Sequence, residues 1–185
     1  MLNVILFAVW VFLPAGLANA SPVFANKVPL LQKLGMPIDC GKHFRGKRIF
    51  GDHKTVRGFA VGVLTGTLTG LLQYFVYRHT TWVQNFSLVD YKSVGMAMLL
   101  GALLGFGALF GDAIKSFFKR QFGVASGKAW FPFDQVDYII GGLAFASLII
   151  DLPHSSYLWI GLVWFLIHPA ATFVGWLMGL KDSPI

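Results

Sequence analysis

The stretch VGMAMLLGALLGFGALFGDAIKSFFKR, Val94–Arg120, decides the fold. Its first part, Val94–Gly111, is uncharged, continuous in its apolar character and without the alternation of a half-buried strand. Its second part adds Asp112, Lys115, Lys119 and Arg120 within a few residues. An apolar run of this length matches the roughly 20 residues that carry a helix across about 30 Å of hydrocarbon. The abrupt charge boundary marks where such a helix meets water.

Four further stretches repeat the pattern. Leu2–Ala20 and Phe59–Tyr77 are uncharged, Tyr138–Leu152 is shorter and extends back through Phe133, and Tyr157–Leu180 holds His168 as its only ionisable group. Strands of a membrane barrel alternate apolar and polar residues, and these do not. The composition agrees: 56% of the 185 residues are hydrophobic and 12% are charged, about half the proportion in a soluble domain. Mean hydropathy is +0.65. Disorder, which needs few apolar groups, is excluded, and one cysteine, Cys40, excludes a disulfide scaffold. The expected fold is an all-α, polytopic membrane protein of one domain, residues 1–185. Its five spans cover about 2–20, 59–77, 94–111, 138–152 and 157–180, with functional loops over 21–58 and 112–137.

Charge sorts by loop. Eight of the fifteen Lys and Arg lie in 26–57, four in 112–137, and Lys181 follows the last span; Arg78 and Lys92 alone fall on the other side. The positive-inside rule then places both basic loops and the C-terminus in the cytoplasm and the N-terminus outside a cell membrane. The sequence Ala18-Asn19-Ala20 resembles a signal-peptidase site. The basic n-region is missing, however, and cleavage would put the most basic loop outside, so the first helix is read as retained.

Within the second span Gly58, Gly62, Gly66 and Gly70 recur every fourth residue, and Gly101 and Gly105 repeat the theme on the third. Such stripes let helix backbones approach closely. They also permit a homodimer.

All eight acidic residues are Asp. Asp112 closes the third span, while Asp134 and Asp137 open the fourth and face one way on a helix, being three residues apart. Three carboxylates at one membrane border suit Mg²⁺, which takes hard oxygen ligands while keeping water and substrate phosphates. Interfacial carboxylates neutralised by Lys115 and Lys119 are the simpler reading of the same residues. Lys115, Ser116, Lys119, Arg120 and Lys128 interleave with the acids, the composition that holds a polyphosphate with its metal. The first loop alternates Lys42, Arg45, Arg48, Asp52, Lys54, Thr55 and Arg57 with glycines, which allow backbone N–H groups to approach phosphate. A polybasic loop that only attracts anionic lipid is the alternative. Gly123-x-x-x-Gly127-Lys128 falls one residue short of a P-loop, with Ala129 where the hydroxyl belongs. Nucleic acid is not implied, since topology already explains the basic loops.

At these residues the sequence resembles the archaeal CDP-archaeol synthases, CTP-dependent cytidylyltransferases of ether-lipid synthesis. The resemblance runs from Pro22-x-x-Ala25-Asn26 through Gly46-x-Arg48-x-x-Gly51-Asp52-x-Lys54-Thr55-x-Arg57-Gly58 to Phe131-Pro132-Phe133-Asp134-Gln135-x-Asp137. Ser116-x-x-Lys119-Arg120 followed by Asp134-Gln135-x-Asp137 is also similar to the signature of CDP-diacylglycerol synthases, with Gln135 where that signature has Arg. The resemblance implies Mg²⁺-dependent transfer of CMP from CTP to a lipid phosphate, 2,3-bis-O-geranylgeranyl-glycerol 1-phosphate, giving CDP-archaeol and pyrophosphate. Asp112, Asp134 and Asp137 are then expected to hold the metal. Lys115, Lys119 and Arg120 would neutralise phosphates, assisted by Ser116 and Lys128, and Arg48, Asp52, Lys54, Thr55 and Arg57, with Arg45 and Lys42, would form the nucleotide wall. The rivals are a diacylglycerol-type synthase using another lipid phosphate, a small transporter and a non-catalytic scaffold. A CDP-alcohol phosphotransferase is disfavoured, because its Asp-Gly-x-x-Ala-Arg motif does not occur.

Overall fold

The computed structural model describes residues 1–125 and 128–179. The described residues form six α-helices: α1 (Leu2–Ala25), α2 (Val56–His79), α3 (Thr81–Phe86), α4 (Val94–Gln121), α5 (Phe133–Ala146) and α6 (His154–Leu177). A 3-10 turn, Pro29–Leu34, and a two-stranded antiparallel hairpin, β1 (His43–Phe44) and β2 (Lys47–Arg48), lie between α1 and α2. The protein is a mostly helical, multi-pass membrane protein.

Four helices, α1, α2, α4 and α6, are long and apolar enough to cross a bilayer. The expected fourth span, 138–152, is instead the 14-residue α5, beginning at Phe133 and ending at Ala146. At about 1.5 Å per residue it is roughly 21 Å long, shorter than the hydrocarbon. Helices α1, α2 and α4 overrun their expected limits, and α6 runs from His154 to Leu177 where 157–180 was expected. The first continues five residues beyond Ala20 to Ala25, through Pro14 and Pro22. The largest correction concerns 112–137, expected as a loop. Residues 112–121 continue α4, so Asp112, Lys115, Ser116, Lys119 and Arg120 stand on rigid helix. The i,i+3 and i,i+4 spacing of these polar residues suits a helix surface, which is why the hydrophobic boundary did not end the helix. Gly127, Leu180 and Lys181, which figured in the sequence reading, lie outside the described residues.

Packing follows from glycine. Lipid tails are as apolar as the helices, so association depends on close van der Waals contact rather than on expelling water. At the α2/α4 crossing, a methyl group on Gly66 would strike the Gly101 carbonyl, and one on Gly70 the carbonyl of Ala97. Gly62 faces Leu109 and Ala18. The expected stripe is therefore used for packing within one chain, against α4 and α1. A second glycine seam joins α4 to α5, where Gly107 meets Gly141 and Gly111 meets the backbone of Asp137. Helix α1 fills the space behind them with Phe7, Val11 and Phe12, and the Phe12 ring lies 6.0 Å from Tyr138 and 5.5 Å from Trp164. Trp164 packs on Gly16 and its indole N–H donates to the Ala8 carbonyl at 2.9 Å, fixing α6 against α1.

The two basic segments meet at one end of the bundle. The Lys47 ammonium donates to the Gln121 carbonyl at 2.6 Å, at the C-terminus of α4, where a cation also complements the helix dipole. The Phe44 ring lies 5.8 Å from that of Phe117.

Candidate active site

Between α1 and α2 the chain is an ordered platform organised around Asp39. This carboxylate, wholly removed from solvent, accepts N–H groups of Gly41 (3.0 Å), Phe50 (2.9 Å) and Gly51 (3.0 Å) and the Arg48 guanidinium (2.8 Å). Burial alone would raise its pKa, but Arg48 and the three backbone donors outweigh that and hold the group well below the usual carboxylate range. The hairpin turns at Arg45 and Gly46, both with positive φ (51° and 76°), the geometry that a two-residue turn between twisted strands requires. The base of the platform is fastened by Ile38 N–H to the Lys54 carbonyl (2.8 Å) and Val56 N–H to the Met36 carbonyl (3.0 Å). Thr55 then caps α2, its hydroxyl oxygen accepting the Gly58 N–H at 3.1 Å.

The platform delivers Lys54 to Asp112, with which it forms an ion pair. Around it the three aspartates converge on one ammonium. Lys115 Nζ lies 2.9 Å from Asp112, 2.6 Å from Asp134 and 2.9 Å from Asp137. Asp112 and Lys115 come from α4, Asp134 and Asp137 from α5. The glycine seam brings these helices close enough for a four-carbon side chain to bridge them. Lys119 stands 3.3 Å from Asp134 and also donates to the Lys128 carbonyl. The Trp130 N–H donates to the other Asp134 oxygen.

These groups line a cavity of about 460 Å³, a size typical of small-molecule sites. Its walls hold Lys54, Thr55, Asp112, Lys115, Ser116, Lys119, Arg120, Lys128, Asp134 and Asp137. Ten of the expected site residues are thus brought together. Ser116 and Thr55 are there with their hydroxyls already engaged, Ser116 donating to the Asp112 carbonyl at 2.8 Å. Five expected residues are not on the wall. Arg48 is taken by Asp39 and by Asp52 (2.8 Å), because a buried carboxylate needs a cation close by. Asp52 is three-quarters exposed on that outer pair. Arg57 turns back to Asn26 and the Leu31 carbonyl. Arg45 lies over the Phe44 ring, 5.3 Å from its centroid, on the exposed hairpin tip. Lys42 is likewise exposed and off the wall. Conversely, Phe50, His53, Asn19, Gln135, His168 and Thr172 line the cavity without having been assigned to it. The sequence signal for His53 was present, since it sits beside Lys54. His168 and Thr172 are one helical turn apart on an apolar span and gave none.

A second, mostly apolar groove of about 220 Å³ opens between α1 and α6 and shares Asn19, Val23, His168 and Thr172 with the first cavity. A polar chamber with three carboxylates and several cations thus continues into a lipid-compatible groove.

Comparison with known proteins identifies the family. The family model described as CarS-like, CDP-archaeol synthase, matches residues 1–185. The CDP-archaeol synthase of Thermococcus onnurineus is 40% identical over 184 residues, covering 99% of this chain and 98% of the relative. That of Methanocaldococcus jannaschii is 35% identical over 181 residues, covering 96% of each. Among solved structures, one described as an intramembrane enzyme for archaeal membrane lipids biosynthesis superposes with TM-score 0.72 at 28% identity, over 90% of this chain and 93% of that one. With the family model matched from end to end and relatives this similar over their full length, the chain belongs to the CDP-archaeol synthase family of enzymes.

Proposed function

We propose that the protein transfers CMP from CTP to 2,3-bis-O-geranylgeranyl-glycerol 1-phosphate, releasing pyrophosphate and forming CDP-archaeol. The observation that carries this reading is the meeting of Asp112, Asp134 and Asp137 at the wall of a cationic cavity that opens into an apolar groove. The groove suits the alkyl chains and the chamber suits the triphosphate. An oxygen of the lipid phosphate attacks the α-phosphorus of CTP in line, and pyrophosphate leaves. Both reactants are anions, so the protein's task is to hold them together and neutralise their repulsion. Lys54, Lys119, Arg120 and Lys128 supply that neutralisation at the wall, and α4 and α5 supply rigidity.

The carboxylates fit Mg²⁺ by chemistry. They are hard oxygen donors gathered within reach of one cation, and the buried Asp137 Oδ2 has the Lys115 ion pair in place of a hydrogen bond. Asp112, Asp134 and Asp137 would hold the ion, which supplies electrostatic stabilisation of the phosphates. The basic end of the bundle faces the cytoplasm, where CTP is available, and α5 with the turn after it serves as the fifth crossing. Positive-inside asymmetry supports this orientation.

The test is pyrophosphate release from CTP in detergent, set against solute flux in liposomes. Release that depends on both Mg²⁺ and added lipid phosphate is expected. Flux without release would replace the enzyme with a transporter.

A further inference from the structure

We propose that Lys115 is a displaceable counter-ion. Its ammonium holds the divalent ion's place among Asp112, Asp134 and Asp137, and it swings to the phosphate side of the cavity when the ion enters. This rests on the metal-dependent reading given above.

Three observations carry it. Lys115 Nζ lies within ion-pair distance of all three carboxylates, at 2.6–2.9 Å, and donates a hydrogen bond to Asp134. Among the described residues, no group of three His, Cys, Asp or Glu side chains stands ready-made for a metal, and at this cluster the shared neighbour is the Lys115 ammonium. The side chain also borders the cavity and is 13% exposed, so it has open space to turn into.

Charge explains both positions. Without a cation, three half-buried carboxylates from two helices repel one another and are costly to leave unpaired. The ammonium keeps them together and so preserves the site before ligands arrive. A divalent ion among the same oxygens repels an ammonium a few ångströms away, strongly so in a half-buried site. A flexible four-carbon stem lets the ammonium leave, where a planar guanidinium forked to two acids would be held. A triphosphate bound with the metal then offers it new acceptors. The same residue thus guards the empty site and neutralises the occupied one.

The exchange makes Lys115 a competitor of the metal. In Mn²⁺ titrations followed by electron paramagnetic resonance without nucleotide, purified Lys115→Gln is expected to bind Mn²⁺ about tenfold more tightly than the parent, within the range of site-to-site couplings. Equal or weaker binding by a variant that elutes like the parent overturns the exchange. The unmutated protein gives a second reading through acetylation by acetic anhydride, followed by peptide mass. Lys115 should react faster with Mg²⁺ present, and CTP added with Mg²⁺ should protect it; a rate indifferent to Mg²⁺ overturns the proposal. Asp137→Asn separates the two levels, since it should lose Mn²⁺ binding. If it binds Mn²⁺ like the parent, the carboxylate metal reading itself fails, and the exchange with it.

Discussion

Gly111 and Asp137 meet backbone to backbone, so closely that a methyl group on Gly111 would collide with the Asp137 carbonyl. This contact sets the distance between α4 and α5, and with it the span that Lys115 bridges. Packing inside the membrane and chemistry at its border are the same piece of geometry. Gly111→Ala should push α5 outward and cost about 1–3 kcal/mol, the usual range for overpacking. Thermal unfolding in detergent would show the loss, and CMP transfer should fall further than the fraction of folded protein does.

Lys54 reaches Asp112 across 58 residues of chain and is the platform's direct link to the carboxylates. Lys54→Met should raise KM for CTP roughly tenfold, matching about 1.5 kcal/mol for a charge-assisted hydrogen bond, with a smaller change in kcat. Steady-state kinetics over CTP concentration measure the split.

Asp39 touches neither the cavity nor its cations, yet it orders the platform that carries Lys54. Its folded pKa lies below the unfolded value of about 3.9, so its contribution is complete above that value and is lost as pH falls towards the folded one. Hydrogen exchange of residues 40–51, corrected for intrinsic rates, should therefore stay slow at neutral pH and speed up below about pH 4. Asp39→Asn should exchange about tenfold faster already at pH 7, because the charge-assisted bond to Arg48 is gone. Loop exchange that is the same in both proteins would contradict the role given to Asp39.

The helical architecture, the pairing of the two basic segments and the gathering of the aspartates were all legible in the sequence. Long uncharged runs and lopsided charge have few other physical explanations. What was not legible came from long-range pairing. Nothing near Arg48 announces that Asp39, nine residues earlier, will take its guanidinium through a hairpin, so a basic residue in a basic loop reads as a phosphate ligand. The helical course of 112–121 was half visible: Asp112, Lys115, Ser116 and Lys119 keep helical spacing past the apolar boundary. The short α5 was hidden because Leu148, Ile149 and Ile150 continue its apolar run, although the helix ends at Ala146. His168 and Thr172 joined the cavity through the packing of α6 on α1, which hydropathy does not encode.

On the proposed reading, the carboxylates gathered at the α4/α5 seam carry a CMP transfer. Its most direct test incubates the parent and Asp134→Asn with α-labelled CTP, Mg²⁺ and a panel of lipid phosphates, then extracts into organic solvent. Labelled lipid is expected from the parent, matched one for one by pyrophosphate, with a loss of at least about 100-fold in an Asp134→Asn protein that elutes normally. Equal labelling by both proteins would contradict it.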